Sequence, residues 1–142
     1  MSARDMVPEA ALGEVLSATS LILTCKCDGD SIRKGRFVAL SSSEGWPPLI
    51  REANSGDRIL GVALKDGVRG EYIPVCILGV VKVYAGGALT AGDAVKSDDE
   101  GRAVKALGSD EGLSGGKSLM DAGGAGDQIL ILVCPDTHGM GA

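Results

Sequence analysis

The chain has 142 residues and a formal net charge of −5, a size that fits one domain or two small halves sharing a core. An acidic chain repels phosphate backbones, and one Trp, two Tyr and one Phe leave few rings for base stacking, so nucleic acid is not an expected partner. No stretch nears the ~20 continuous apolar residues of a membrane span. Met1 to Pro8 lacks the basic-then-apolar order of a signal peptide, so folding in a reducing cytoplasm, away from membranes, is expected. The apolar fraction of 44% is carried mainly by Val, Ile, Leu and Ala, which makes a thin core that neighbouring chains would help to cover. The 22 glycines, about twice the usual share, predict many turns and few long helices.

Residues 1–19 are read as an arm. Ala10, Ala11, Leu12, Val15 and Leu16 give it mild helical character, but an isolated helix this short is marginal in water. Either contact with something else orders it, or it is a frayed terminus. From Ser20 to Cys27 the pattern is strand, ending at the turn Asp28-Gly29-Asp30. Lys34-Gly35 turns into a strand from Arg36 to Leu40. The loop from Ser41 to Pro48 carries Trp46, and its two prolines bar it from a central strand. Leu49 to Arg51 is a short strand, Asn54 to Asp57 a turn, and Arg58 to Leu64 extended again.

The strongest strand runs from Glu71 to Tyr84. Ile73, Val75, Ile77, Val81 and Val83 form one face and Tyr72, Cys76, Leu78 and Val80 the other, so burial of both faces is expected. Pro74 marks an edge or a bulge, and Gly79 a bend where the strand changes sheets. Asp93 to Ser97 and Arg102 to Ala106 flank a hairpin-like turn at Asp98 to Gly101. Ser109 to Gly116 reads as a polar loop, Ser118 to Gly126 as a short Ala/Gly segment, and Gln128 to Cys134 as the last strand. Residues 135–142 are a tail.

The second half of the chain echoes the first. Ile32-Arg-Lys-Gly-Arg-Phe-Val38 matches Leu89-Thr-Ala-Gly-Asp-Ala-Val95; Gly61-Val-Ala-Leu-Lys-Asp66 matches Gly116-Lys-Ser-Leu-Met-Asp121; Gly70-Glu-Tyr-Ile73 matches Gly126-Asp-Gln-Ile129. Three blocks in one order at nearly constant offset argue against chance in a Gly-rich chain. Two copies suit a pseudo-twofold body better than a solenoid. The expected fold is therefore all-β with at most short helices. It is a compact β-barrel or sandwich over residues 20–134, of two related halves (about 20–86 and 87–134), with an extended N-terminal arm.

Residues suited to catalysis are sparse. His138 lies in the tail, where a general base is poorly held. Cys25, Cys27 and Cys134 with His138 would make a zinc set only without the usual knuckle spacing, so inert buried thiols are the better reading. Asp98, Asp99 and Glu100 lack the alternation of a calcium loop and read as a solvated turn. Gly116-Lys117-Ser118 ends like a phosphate loop, but Glu111 stands where its opening glycine belongs. A carrier-type barrel, biotinyl or lipoyl-like, or another enzyme-associated module is the alternative; Lys82 lies in a strand and Lys96 lacks the flanks of a modified lysine. No catalytic, cofactor-binding or metal residue is expected, and no cofactor.

The run Gly61-Val-Ala-Leu-x-Asp-Gly-x-x-Gly-Glu-Tyr-Ile-Pro-Val-Cys-Ile-Leu-Gly79-Val-Val-x-Val, then Leu89-Thr-Ala-Gly-Asp-Ala-Val95, resembles the head decoration (capsid cement) proteins of tailed phages. The closing stretch Ser118 to Val133 is similar to their final strand, so the resemblance covers about residues 30 to 134. It implies a structural virion protein, not an enzyme, made in the host bacterial cytoplasm. Such proteins sit on the outer capsid surface, commonly as homotrimers, and clamp neighbouring subunits of the major capsid protein after shell expansion. The aromatic-rich arm of some such proteins is absent here.

A clamp needs several modest contacts engaged together, and linking them in a trimer raises avidity by roughly 10²–10⁴. The expected contact residues are Val7, Leu12, Val15 and Leu16 of the arm, and Trp46, Pro47 and Leu49 of the proline loop. A restrained loop with one large aromatic suits an interface. The competing reading has Trp46 folded back over the thin core.

Overall fold

A computed structural model describes Leu12, Gly13 and residues 20–135. Their regular structure is almost entirely strand. In chain order the strands are β1 (Leu21–Cys27), β2 (Ser31–Ile32), β3 (Phe37–Leu40), β4 (Leu49–Glu52), β5 (Gly61–Ala63), β6 (Gly67–Val68) and β7 (Tyr72–Tyr84). Then follow β8 (Ala94–Ser97), β9 (Ala103–Lys105), a 3-10 turn at Gly108–Asp110, β10 (Gly116–Ser118) and β11 (Gln128–Val133).

Pairing runs β1–β4–β3–β5–β7, and β7 returns to β1, so five strands close a small barrel. The second part of β7 pairs with β11, which continues through β10 and β8 to β9. A parallel bridge from Ala103 to Ala85 brings β9 back to the end of β7. The chain is thus two small barrels sharing one long strand. Closing each sheet on itself limits the open edges that invite unwanted pairing.

Gly79 is the changeover. Leu78 pairs with Leu21 of β1 while Gly79 pairs with Val133 of β11, and Gly79 has φ 151°, a conformation side-chain-bearing residues avoid. Pro74 stands inside the pairing, opposite Thr24, rather than at an edge or bulge. Its carbonyl accepts the Leu64 amide at 3.0 Å, and its missing N–H faces the same way, just past the end of β5. The expectation that both faces of β7 are buried holds only in part. Ile73, Val75, Cys76, Val81 and Val83 are buried, but Tyr72 and Leu78 are exposed; on their face the second barrel covers Cys76 between them.

The internal repeat recurs bond by bond. Cys27 N–H donates to the Glu71 carbonyl at 2.8 Å, and Ala85 N–H to that of Asp127 at 2.7 Å. Gly35 N–H donates to Ala63, and Gly92 N–H to Ser118, both at 2.8 Å. The Leu64 bond to Pro74 is matched by Leu119 to Leu130 at 3.0 Å. The equivalence therefore begins at β1 in one unit and at Gly79 in the other, with β7 serving both.

Side chains follow the backbone. The first barrel is filled by Cys25, Cys27, Ile32, Val38, Ile50, Ala63, Ile73 and Val75. Their counterparts Val83, Ala85, Leu89, Val95, Ala103, Ser118, Ile129 and Ile131 are buried in the second. Each large aliphatic residue so buried contributes about 1.5–3 kcal/mol, so a barrel this narrow still has a working core. Ser118 is the polar exception; its hydroxyl donates to the Met120 carbonyl at 2.6 Å, so the buried oxygen is satisfied.

Candidate functional site

The units differ most in the loop between their second and third strands. In the second barrel Asp98–Arg102 makes this connection in five residues; in the first, Ser41–Pro48 takes eight. The short version needs no special side chain beyond Asp98, whose carboxylate accepts the Glu100 and Arg102 amides at 2.8 Å each and the Arg102 guanidinium at 2.8 Å. This is the solvated turn read from the sequence. The longer version holds the lone Trp.

Trp46 is 82% exposed, which rules out its folding back over the core. Pro47, Pro48 and Leu49 are half-buried, and the Ser41 hydroxyl donates to Asp28 Oδ2 at 2.7 Å, fastening the loop's first end to the turn after β1. Two depressions of about 320 Å³ meet at Leu40, itself 56% exposed. One runs along the Ser41–Gly45 side of the loop. The other lies against Arg51 and Asp57, which form a two-bond ion pair. The Arg51 guanidinium and the Asn54 amide hold the Asp57 carboxyl below its usual range.

Of the arm residues, Val7, Val15 and Leu16 lie outside the described residues. Leu12 packs against Gly35, where an added Cβ would meet its side chain at 2.8 Å, and the Gly13 amide donates to the Lys82 carbonyl at 3.1 Å. That contact ties this part of the arm to the shared strand. Leu12, placed at Gly35, is not among the residues that line the two depressions at Leu40.

The residues weighed for chemistry are dispersed. Cys25, Cys27 and Cys76 are buried and Cys134 is exposed, with all four thiols free; His138 lies outside the described residues. Burial pushes the Cys25 thiol up to about 11 and raises Cys76 as well, which suppresses thiolate formation. Among the described residues no group of three or more His, Cys, Asp and Glu gathers as a metal set. Gly116-Lys117-Ser118 is strand β10 and not a phosphate-cradling loop. Lys96 is held by Asp110 at 3.0 Å.

Sequence reasoning missed Leu40 and Leu132 as surface residues. Both sit in apolar runs that periodicity assigns to the core. Their exposure follows from where the partner barrel stops, which no local pattern encodes.

The described residues thus form paired barrels with exposed apolar side chains and one projecting Trp. Residues 17–133 match the family model described as phage cement protein, and the chain belongs to that family. No curated protein matches it in sequence. Among solved structures it is similar to the N base of head fibre gp8.5 of bacteriophage phi29, with a TM-score of 0.64 and 19% identity over 85% of this chain and 100% of that one. At that identity the likeness shows the fold.

Proposed function

We propose that the chain sits on the outer surface of an expanded phage capsid, as a homotrimer, and stabilises the shell by clamping neighbouring major capsid subunits. Family membership makes it a structural, capsid-associated protein of the virion. The clamp itself is carried by one observation, the eight-residue Ser41–Pro48 loop with Trp46 projecting from it. The repeat shows that five residues suffice to join these strands, so the extra length and its solvent-facing indole serve something other than the fold. An exposed aromatic on a proline-restrained loop contributes contact area at little entropic cost.

Residues 1–19 provide the second contact. Gly13 bonds the shared strand and Leu12 packs on Gly35, and the rest of the arm would reach a neighbouring subunit, where strand addition would gain about 0.5–1.5 kcal/mol per hydrogen bond.

Electron microscopy of expanded capsids incubated with the protein is the deciding experiment. Wild-type chain is expected to add density on the outer shell and to raise the temperature of shell disruption. Trp46→Ala, and deletion of residues 1–19, are each expected to lower occupancy without unfolding the chain. Full occupancy in both variants would overturn the assignment of these contacts; no added density with wild type would overturn the clamp.

A further inference from the structure

We propose that copies of this chain join head to tail, the surface around Leu40 on the first barrel of one copy seating in a depression on the second barrel of the next. The contact between the two barrels inside one chain would then be repeated between chains. This names the joining surfaces of the self-association proposed above and rests on that part of the reading.

The internal contact supplies the template. The outer face of the first barrel carries Phe37, Ile59, Val62 and Cys76, all buried in a cluster with second-barrel residues. Phe37 and Ile59 are the knobs and Gly115 of the second barrel is their hole, while Gly101 lies against Arg36, Glu52 and the Phe37 main chain. A Cβ on Gly115 would meet Ile59 Cδ1 at 2.8 Å and Phe37 Cε1 at 2.9 Å, and one on Gly101 would meet the Phe37 carbonyl at 3.1 Å. The Phe37 amide also donates to the Gly101 carbonyl at 2.8 Å.

The repeat assigns each of these positions a counterpart, and the counterparts are uncovered. Phe37, Ile59, Val62 and Cys76 correspond to Ala94, Ser114, Lys117 and Leu132. These surround a depression of about 320 Å³ in which Leu132 is 37% exposed. Leu60 and Gly115 are equivalent because each donates its amide at 2.8 Å to a matching valine carbonyl, Val38 or Val95. Pro48 and Gly101 are equivalent because Ser41 bonds Leu49 as Asp98 bonds Arg102, at 2.9 Å in both units.

Size has been exchanged across the pair. The knobs Phe37 and Ile59 have become Ala94 and Ser114, while the hole Gly115 has become Leu60, partly packed on its own barrel, and the small Gly101 has become Pro48, with Leu40 exposed beside them. One free surface lost volume where the other gained it. Two unrelated exposed patches have no reason to compensate in this way; two halves of one interface must, because packed contacts tolerate neither overlap nor voids. The two surfaces differ, so the association is heterologous and closes into a ring when the rotation permits, here a trimer of six barrels.

Light scattering after size exclusion tests this with full-length Leu40→Glu and Ala94→Arg, both at exposed positions. Wild type is expected to be trimeric and each variant alone monomeric. A one-to-one mixture is expected to form a dimer, since each variant keeps the surface the other lacks. A twofold, self-complementary contact predicts instead a dimeric wild type, and that result, a monomeric wild type, an unaffected variant or a mixture that stays monomeric overturns the proposal. Oxidation of Leu40→Cys is an independent check should either charge variant unfold. It is expected to link to Cys134 of a neighbouring copy, and the link must vanish in Leu40→Cys with Cys134→Ser. Capsid occupancy is read separately: trimers that ignore capsids would sink the capsid reading alone, and monomers that bind them would sink only this one.

Discussion

Asp66 Oδ1 accepts the Lys34 amide at 2.8 Å, and one repeat later Asp121 Oδ1 accepts the Ala91 amide at the same distance. The closing residue of the Gly-x-x-Leu-x-Asp block therefore pins the turn that opens the other block, which is why the two blocks recur together. Asp66→Ala should cost about 1 kcal/mol, or roughly 3–5 °C in melting temperature, and Asp121→Ala a similar amount. Differential scanning calorimetry checks this; a loss in one unit only would mean the turns are not equivalent.

Gly61 and Gly116 open the same block and cross a neighbouring main chain so closely that a Cβ would collide with the carbonyls of Cys76 and Leu132. Backbone cannot rotate away as a side chain can. Gly61→Ala and Gly116→Ala are each expected to cost about 2 kcal/mol or more. Gly87, which has nothing within 4 Å of an added Cβ, is the control. Gly87→Ala is expected to be neutral or to stabilise by about 0.4–1 kcal/mol in urea titration.

These positions also show what was readable in advance. Glu71 to Tyr84 is a long β-branched run broken by one glycine, so both the strand and its changeover at Gly79 were legible. Strand β10 was not. Gly116-Lys117-Ser118 has no apolar alternation and lies beside a Gly/Ser loop; it becomes a strand because β11 and β8 flank it. Its match to Gly61-Val-Ala63 was the available signal, since the repeat carries strand identity where composition does not. Trp46 and its prolines announced a surface loop. The depression at Ala94 did not announce itself, because which of two equivalent faces is covered is decided by tertiary packing.

Acid should weaken the fold at a definable place. Asp57 is held below its ordinary value of 3.8, first by its hydrogen bonds with Arg51 and then by the Asn54 amide. A carboxyl depressed in the folded state binds protons more readily when unfolded. Its contribution is therefore complete above the unfolded value and lost as pH falls through the folded one. Asp110 is depressed in the same direction, by the Leu107 amide and Lys96. Stability measured from pH 5 downward should fall below about pH 4, and Asp57→Asn should flatten that fall. An unchanged slope would show that the Arg51 pair does not persist in solution.

Thiol chemistry separates the cysteines and reports on assembly. Cys25, Cys27 and Cys76 are buried, and Cys134 alone of the four is exposed in the single chain. Alkylation followed by mass spectrometry should label Cys134 first and the other three only on denaturation. Because Cys134 borders the Ala94 depression, its labelling should slow as protein concentration rises and copies cover one another. Concentration-independent labelling would place that depression outside any contact between copies.

Trp46 supplies the last prediction, because the chain has no other tryptophan and this one is already in water. Its emission should be red-shifted and freely quenched by acrylamide in the isolated chain, and should change little when urea unfolds the barrels. Circular dichroism should follow the transition that fluorescence misses. Trp46→Ala should shift stability by no more than about 0.5 kcal/mol, the range of a surface substitution that leaves packing intact. A blue-shifted native emission, or a loss of several kcal/mol, would mean that the indole is packed against the barrel. The loop would then be part of the fold, and the extra residues of Ser41–Pro48 would need no partner to explain them.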